Sequence, residues 1–391
     1  MDEPPYKGLV VVELARVLAG PWIGQTLSDL GATVIKVESP NGDETRAWGP
    51  PFVKDYRGES VDSAYFHSCN RGKRSIVADL KTKAGQKIVR DLAANADVFI
   101  ENFKVGGLQK YGLDYASLSE LFPKLIYCSV SGFGQTGPYA LRPGYDFLIQ
   151  ALSGIMDLTG APDGDPQKIG VAFADIFTAL YGLIGIQAAL SARAKSGKGQ
   201  LIDVCLLDSM VGVLANQGMN HLVGGTNPTR MGNAHPNICP YQTFNTKDAQ
   251  LVIAVGNDRQ FASLCKTLNL PKISADPRYL TNPLRVLNRE TLCDTLQSAL
   301  DEKFRGDILS ALETAGVPAA PINSVADVFN DPQVQHRSLK MDIPAEWAKD
   351  GIIPGIRLPL AFSQSTIDCA RPSPRLDEHR HQILRDLYDA D

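Results

Sequence analysis

The first 131 residues alternate between short apolar runs and segments with helical spacing, and this alternation limits the possible folds more than any other feature. Leu9–Leu14 and Thr33–Glu38 are typical of strands, and Pro21–Leu30 between them begins with proline and precedes a glycine. The order continues with predicted strands at 75–80, 97–101 and 125–131 and helices at 82–95 and near 115–122. Strands separated by helices predict an α/β fold, in which a parallel sheet is flanked by helices.

The pattern changes twice after residue 145. The chain is first mostly helical, with a strand at 200–204, and Gly224–Pro228 resembles a linker. A hairpin pair, 241–244 and 251–255, then leads to helices near 258–268, 288–302 and 305–315. We therefore predict a large domain at 1–224, a small α+β domain at 225–330 and a C-terminal segment, 331–391, that returns to the large domain.

Charge and cysteine content exclude several classes of protein. The 39 Lys and Arg residues face 43 Asp and Glu residues, a net charge of −4, so no basic excess exists to bind nucleic acid. Seven scattered cysteines without a CxxC pair predict reduced thiols rather than a zinc site or disulfides. Six histidines form no metal-binding motif, so no metal is expected.

The sequence also predicts a cytoplasmic protein without a membrane span. The N-terminus is acidic and lacks the basic and apolar regions of a signal peptide. The longest apolar stretch, 173–192, contains Asp175, Thr178 and Gln187, which favours a buried helix over a transmembrane one.

Familiar catalytic and nucleotide-binding motifs are absent from the sequence. Ala15–Pro21, the loop after the first predicted strand, lacks the GxGxxG glycines that admit a dinucleotide pyrophosphate, although Glu38 ends the next strand as in such proteins. No GxSxG elbow or Walker loop occurs either, which leaves serine hydrolase and P-loop functions without support.

Asp175 is a carboxylate inside an apolar run at the predicted start of a long helix. The pattern alone favours a helix N-cap. The alternative is a carboxylate nucleophile, activated by partial desolvation and held ionised by helix amides. Periodicity does not separate the two.

Two further features are compatible with a ligand site, the second with a site for an anion, and the alternatives are an ordinary loop and solvated surface charges. Ser131–Pro138 follows a predicted strand, and its glycines permit close approach of the main chain to a ligand. Basic residues recur near the carboxyl ends of the strands, where open α/β sheets bind ligands. They are Lys36, Arg46, Arg71, Lys73, Arg74, Lys81 and Lys110.

Taken together, the chain resembles the family III CoA-transferases, which include formyl-CoA, carnitine and succinate–hydroxymethylglutarate CoA-transferases. The motifs keep the family's order over nearly the whole chain. They are Arg16–Pro21, Asp29–Glu38, Asn70–Ser75, Asp97–Phe103, Ser131–Pro138, Gly144–Asp146, Asp175 with Tyr181–Gly182, Gly232–His235 and Pro240–Gln242.

The resemblance implies an interlocked homodimer and a covalent mechanism. Asp175 matches the catalytic aspartate, whose carboxylate attacks an acyl-CoA thioester and then carries CoA as an aspartyl-CoA thioester. CoA thioesters are expected as substrates, with no permanently bound cofactor. Tyr145, Asp146 and Leu18 are expected to support catalysis. The positions that match CoA contacts are Val17, Ala78, Lys81, Asn102, Phe103, Lys110 and Tyr111.

Two departures bear on the substrate. Leu18 stands where formyl-CoA transferase has glutamine, and Val255–Arg259 replaces a run of glycines that gates that enzyme. The segments 245–248, 256–257 and 282–286 look closest to the succinate–hydroxymethylglutarate type. Succinyl-CoA or another dicarboxylyl-CoA is therefore the expected donor, and Arg16, Arg230 and His235 are candidates to bind the distal carboxylate.

Two alternatives stay open at this point. An α-methylacyl-CoA racemase shares the fold, but it needs a histidine where this chain has Tyr145, and a phenol with pKa ~10 is a poor base at neutral pH. A CoA-binding protein without catalysis would not need Asp175.

Overall fold

The computed structural model describes residues 3–388, which form two compact units. The first unit contains residues up to 155, residues 168–224 and the chain from 332 onward, and the second contains 156–167 and 225–331. The segment 156–167 lies within the range predicted for the large domain but groups with the second unit. There Arg230 binds Asp157, and the amide of Gly232 donates to the carbonyl of Gly160 at 3.1 Å.

The elements up to residue 224 are β1 Val10–Glu13, α1 Ala19–Asp29, β2 Thr33–Glu38, β3 Phe52–Lys54, β4 Ser60–Ser63, α2 Ala64–Cys69, β5 Arg74–Val77, α3 Lys83–Ala94, β6 Val98–Glu101, α4 Tyr115–Leu121, β7 Ile126–Ser131, α5 Asp146–Leu152, α6 Ile155–Leu158, α7 Phe173–Ser196, β8 Leu201–Cys205, α8 Leu206–Gly212 and α9 Ala215–Gly224.

The remaining elements are β9 Tyr241–Asn245, β10 Gln250–Ala254, α10 Asp258–Thr267, α11 Pro271–Ser274, α12 Asn282–Leu287, α13 Arg289–Leu300, α14 Arg305–Thr314, β11 Ala319–Pro321, α15 Val325–Asn330, α16 Pro332–His336, β12 Lys340–Pro344, β13 Ile352–Ile356 and α17 Arg380–Tyr388.

The first unit is built on a six-stranded, fully parallel sheet in the order β5-β2-β1-β6-β7-β8. This order reverses direction between β1 and β6, as in the doubly wound nucleotide-binding folds. Its strands are buried because helices cover both faces, and this explains their nearly continuous apolar sequences. The predicted α/β class and parallel sheet are confirmed.

Helix α7 is the last and longest helix of the connection between β7 and β8. It packs on both strands and on α1, burying Ala174, Thr178, Ala179, Gly182, Leu183, Ile186 and Ala189. Within residues 3–388 it is the one helix that is long and apolar enough to cross a membrane, and 39% of its most apolar stretch is buried. Because β8 runs parallel to β7, α7 must begin at the carboxyl edge of the sheet and end at the opposite edge.

The C-terminal segment covers the outer strand of the sheet. The carboxylate of Asp377 accepts the amide of Val77 at 2.7 Å, and the amide of His379 donates to the carbonyl of Ser75 at 3.0 Å. Arg380 donates to the carbonyl of Val77 at 2.6 Å. These contacts pair main-chain groups that β5 would otherwise expose at the sheet edge.

The second unit has its own core around a three-stranded antiparallel sheet, β11-β10-β9. The predicted hairpin and the helices after it are present, and α10, α13 and α14 supply most of the buried apolar side chains. Arg285 is fully buried in this unit, where it binds Asp258 and the carbonyls of Cys239 and Tyr279.

Candidate active site

The reversal of strand order places two loops side by side at the carboxyl edge of the sheet. One follows β1 and contains Arg16, Val17 and Leu18, and the other follows β6 and begins with Asn102 and Phe103. In an open α/β sheet the connections diverge at this point and leave a crevice that binds ligands. Five of the residues singled out from sequence thus lie at the topologically expected place.

Asn102 joins these two loops directly. Its side-chain oxygen accepts the amide of Arg16 at 2.9 Å, and its side-chain nitrogen donates to the carbonyl of Arg16 at 2.7 Å. The guanidinium of Arg16 lies over the Phe103 ring, 5.7 Å from its centroid, and pairs with Glu44 at 3.1 Å. Leu18 is buried and precedes the first turn of α1.

Asp175 lies in the first turn of α7, at the same edge of the sheet. The helix begins at Phe173, so Asp175 is its third residue and Ala172 is the N-cap. The N-cap function that the sequence pattern favoured is therefore wrong. Burial, and secondarily the charge of Asp146, raises the pKa of Asp175 to about 7. At neutral pH its carboxyl group is thus divided between the protonated and ionised forms.

Asp146 supplies the capping interaction that Asp175 does not. One carboxylate oxygen of Asp146 accepts the amide of Ala174 at 2.8 Å, and the other accepts from Gln150 at 2.7 Å. Gln150 in turn accepts the amide of Ile169, just before α7. Asp146 therefore fixes the first turn of α7 and also acts electrostatically on Asp175.

Tyr145 is positioned by a contact between two glycines. Gly132 and Gly144 approach so closely that a Cβ atom on either would overlap the main chain of the other. This contact joins the loop after β7 to the start of α5, where Tyr145 is the N-cap and remains 62% exposed. The phenol is therefore accessible beside the helix that holds Asp146.

Hydrogen bonds to three polar side chains, two of them buried, hold the loop Ser131–Pro138 in place. Gln135 donates to Ser129, which donates to Glu101, and the amide of Gln135 donates to Asp203 at 2.9 Å. Burial raises the pKa of Glu101 to about 7, against the hydrogen bond from Ser129. These contacts fix a loop whose glycines at 134 and 137 have positive φ angles.

Tyr65 on α2 is a site residue that sequence reasoning missed. Burial raises its pKa, and the negative charges of Asp175 and Asp146 raise it further. Its ring meets Trp48 edge to face at 5.3 Å. The charge of Asp175 thus acts on Tyr65, and Cys69, one turn later on α2, donates to the carbonyl of Val17 in the loop after β1. No pattern in the sequence around position 65 indicates this.

Comparison with known proteins identifies the family. The family model for CoA-transferase family III matches residues 6–380. The chain belongs to the family III CoA-transferases. It is therefore an enzyme that transfers CoA, as the sequence motifs predicted, and acyl-CoA and carboxylic acids are the matching substrate classes.

Individual relatives of this CoA-transferase span almost its whole length. A succinate–glutarate CoA-transferase of Agrobacterium fabrum is 55% identical, covering 98% of this chain and 96% of the relative. The human succinyl-CoA:glutarate CoA-transferase is 43% identical, covering 98% and 86% respectively. A crystal structure of a CAIB/BAIF family protein from Brucella suis superimposes with a TM-score of 0.87 at 57% identity, covering 99% of this chain and all of that one.

Four of the basic residues expected to face an anion are instead buried in ion pairs of this CoA-transferase. Their charges are neutralised within the fold because isolated buried cations are strongly unfavourable. Lys36 and Lys73 both pair with Glu13, Arg46 pairs with Glu38 and Asp62, and Arg71 pairs with Asp29. Glu38, which resembled a ribose ligand, is therefore occupied by Arg46.

The other predicted CoA contacts lie along the same edge of the sheet. Lys81 and Lys110 are exposed, and the ammonium group of Lys110 lies 4.8 Å from the ring centroid of Tyr111. Ala78 is buried directly after β5. Exposed cations beside these apolar groups suit a ligand that carries both phosphates and an aromatic base.

The three residues that are candidates to bind a distal carboxylate of the substrate have different environments. Arg16 lies in the first unit, in an exposed pair with Glu44. Arg230 and His235 belong to the second unit, where Arg230 binds Asp157 and His235 accepts the amide of Asn237 at 3.1 Å. Burial, and secondarily Arg289, lowers the pKa of His235, so its imidazole is neutral at pH 7.

The segment 255–259 begins a capped helix in the second unit. Asn257 is the N-cap of α10 and accepts the amide of Gln260 at 2.9 Å, while the side chain of Gln260 accepts the amide of Gly256. Gating by this segment stays a prediction. Among residues 3–388, no group of three or more His, Cys, Asp or Glu residues could hold a metal ion.

Proposed function

We propose that this enzyme moves CoA from succinyl-CoA to a dicarboxylic acid such as glutarate, through a thioester formed on Asp175. The names of the Agrobacterium and human relatives support the substrates. The observation that carries the mechanism is the position of Asp175, a largely desolvated carboxyl group in the first turn of α7, at the carboxyl edge of a doubly wound sheet. Such a carboxylate is a suitable nucleophile.

The reaction proceeds in four balanced steps. A carboxylate oxygen of Asp175 attacks the thioester carbon of succinyl-CoA, and CoA leaves as a thiolate, which gives a mixed anhydride. The thiolate attacks the carbonyl carbon of Asp175 and expels succinate, so that Asp175 carries CoA as a thioester. Glutarate then attacks this carbonyl and releases the thiolate, which finally attacks the glutaryl carbonyl. Glutaryl-CoA forms and the Asp175 carboxylate is restored.

Two features of the site support these steps. Only the ionised form of Asp175 attacks, and a pKa of about 7 leaves that form available while burial limits its solvation. Asp146 holds the helix turn that carries the nucleophile. Leu18, Val17 and Tyr145 are proposed to orient the thioester, and Ala78, Lys81, Asn102, Phe103, Lys110 and Tyr111 to contribute to the CoA site.

Arg16 is the candidate we favour for the distal carboxylate of the substrate. It lies on the loop after β1, at the carboxyl edge of the sheet, where α7 also begins. Its ion pair with Glu44 is exposed on both sides and is therefore weak, so a substrate carboxylate can replace it. Arg230 and His235 remain further proposals for the same role.

Mass spectrometry tests the mechanism. After incubation with succinyl-CoA, the peptide that contains Asp175 is expected to carry CoA, and Asp175→Asn is expected to carry none and to lose at least 10⁴-fold in kcat. Asp163→Asn, an exposed aspartate in the second unit, is the matched control and should behave as the wild type. A wild-type protein without an adduct that exchanges the α-proton of a 2-methylacyl-CoA in deuterated water would instead indicate a racemase.

We also propose that the enzyme is a cytoplasmic homodimer. All seven cysteines are free and buried, as suits a reducing compartment. Several large apolar side chains of α5, α7 and α9 are exposed in the single chain, a feature that marks protein interfaces. They are Phe147, Leu148, Leu152, Ile184, Leu222 and Val223, which are between 47% and 80% exposed.

A further inference from the structure

The main chain between Ala15 and Val17 is held by four side chains that come from distant parts of the sequence. Lys36 donates to the carbonyl of Ala15 at 2.9 Å, and Asn102 binds both the amide and the carbonyl of Arg16. The side chains of two further residues bind the main chain of Val17. These are Asp43, which accepts its amide at 3.4 Å, and Cys69, whose thiol donates to its carbonyl at 3.5 Å.

These contacts hold Val17 in a conformation that valine ordinarily avoids. Its φ angle is +70°, in the left-handed region, where a β-branched side chain crowds its own main chain. Such a conformation persists only where the surroundings determine it from several sides. The contacts around residues 15–17 keep Val17 in this conformation, because they fix the peptide groups on both sides of its α-carbon.

Asp43 is itself fixed by a buried cluster of charges. It pairs with Lys36 at 3.0 Å and accepts both the amide and the hydroxyl of Thr45 at 3.0 and 2.7 Å. Burial alone would raise the pKa of Asp43, but Lys36 and Thr45 lower it below its ordinary value. Lys36 and Lys73 also share Glu13, so the cluster contains two cations and two anions. A buried cluster of paired charges disfavours movement of Asp43, because a displaced charge would lose its partner without regaining solvent.

The held loop is linked through α1 and α2 to the surroundings of the proposed nucleophile. The charges of both Asp175 and Asp43 act on the phenol of Tyr65, and Cys69 lies four residues after Tyr65 on α2. The loop also leads directly into α1, which packs on α7. Because α1 packs on α7, we expect a displacement of Val17 to be transmitted to the helix that carries Asp175.

We propose that Asn102 and Asp43 are positioning residues for CoA transfer, which act through the main chain of Arg16 and Val17. This inference rests on the proposed function, because it assigns the loop after β1 to the thioester. The amide oxygen of Asn102 and one of its N–H groups are occupied by Arg16 in this arrangement. Asn102 thus contributes to the site mainly by holding the loop, rather than as a direct ligand of CoA.

The test compares Asn102→Ala with the wild type in two measurements. Steady-state kinetics with succinyl-CoA and glutarate are expected to show a loss in kcat of about tenfold or more, as expected for a misplaced reacting group. Calorimetry with free CoA is expected to show a change in Kd of less than about threefold. Asn95→Ala is the matched control, because Asn95 also binds a main-chain carbonyl but lies at the opposite edge of the sheet.

A second variant separates positioning from a loss of folding. Val17→Gly removes the side-chain crowding at a positive φ angle, so the loop should depend less on the side chains that hold residues 15–17. Asn102→Ala is therefore expected to lose less kcat in the V17G background than alone. Asp43→Asn should likewise lose less kcat in the V17G background than alone. A cooperative melting curve of the Asp43→Asn variant shows that it is folded.

Each outcome is decisive for this inference. A rise in the Kd for CoA that matches the loss in kcat/KM, with kcat unchanged, would make Asn102 a direct CoA ligand and overturn the proposal. Equal losses in kcat from Asn102→Ala in the wild-type and V17G backgrounds would also overturn the proposal. Inactivity of the wild type with succinyl-CoA and glutarate would instead contradict the proposed function. The two failures are therefore distinguishable.

Discussion

At the scale of single residues, the protonation of Asp175 is the most consequential property of the site. Burial and the charge of Asp146 both disfavour its ionised form, and they raise its pKa to about 7. The first turn of α7 acts in the opposite direction, because helix amides stabilise a negative charge. The proposed nucleophile is thus poorly solvated but still ionised in part near neutral pH.

This property predicts that Asp175→Asn stabilises the fold at alkaline pH. The folded-state pKa of Asp175 lies above the ordinary value of 3.8, so ionisation destabilises the folded protein increasingly as the pH rises from about 4 to about 7. At pH 8 the uncharged amide should increase the free energy of unfolding by about 1–3 kcal/mol. The difference should shrink at pH 5.

Calorimetric melting at pH 8 and pH 5 checks this prediction. Asp163→Asn serves again as the control and should not change the melting temperature at either pH. If Asp175→Asn melts below the wild type at both values, the carboxyl group has a structural role and its ionised form is not disfavoured by the fold.

At the scale of elements, the position of α5 depends on the contact between Gly132 and Gly144. The two main chains leave no room for a side chain, and α5 starts two residues later with Asp146, which holds the first turn of α7. The contact therefore determines how two helices meet beside the proposed nucleophile.

Gly144→Ala is predicted to impair both stability and transfer. Its Cβ atom would displace the loop after β7 or the start of α5, and overpacking of this kind costs about 1–3 kcal/mol. Because Asp146 would move as well, kcat should fall by about tenfold or more. Urea unfolding and steady-state kinetics measure the two effects. Gly170→Ala is the control, since a Cβ atom there meets nothing within 4 Å, and equal behaviour of the two variants would contradict the argument.

At the scale of the whole molecule, this chain uses a nucleotide-binding sheet without the dinucleotide loop. The strand order and the crevice between β1 and β6 are those of the doubly wound folds. The loop after β1 is held by side chains instead of glycines, and Glu38 neutralises Arg46 instead of meeting a ribose. The same sheet topology thus suits a ligand other than a dinucleotide.

The exposed apolar side chains of α9 lead to a prediction about assembly. Light scattering after gel filtration should give about twice the chain mass of 42.3 kDa. Leu222→Asp should shift the enzyme towards the monomer, because Leu222 is 76% exposed in the single chain and a charge there disturbs no core. Leu121→Asp, at the end of α4, is the control. A monomeric wild type would contradict the homodimer.

Much of the fold follows from local sequence. Buried parallel strands need nearly continuous apolar residues, and the helices between them need an apolar stripe, so both are visible in the pattern of one chain. The prediction of β2 matches its observed bounds, and α3 and α13 match theirs within two residues. The hairpins β3–β4 and β12–β13 were missed, because short exposed strands lack a repeated apolar pattern.

The site required the tertiary structure. Sequence alone marks Asp175 as unusual, yet it favoured an N-cap, because only the contact of Asp146 with Ala174, 28 residues apart, shows which carboxylate caps the helix. Lys36 and Lys73 look like surface cations in the sequence, and only their distance from Glu13 shows that they are buried and paired. Periodicity determines which faces are apolar. The partners of a buried charge are decided when distant strands meet, since desolvated charges are stable only where an opposite charge lies within a few ångströms.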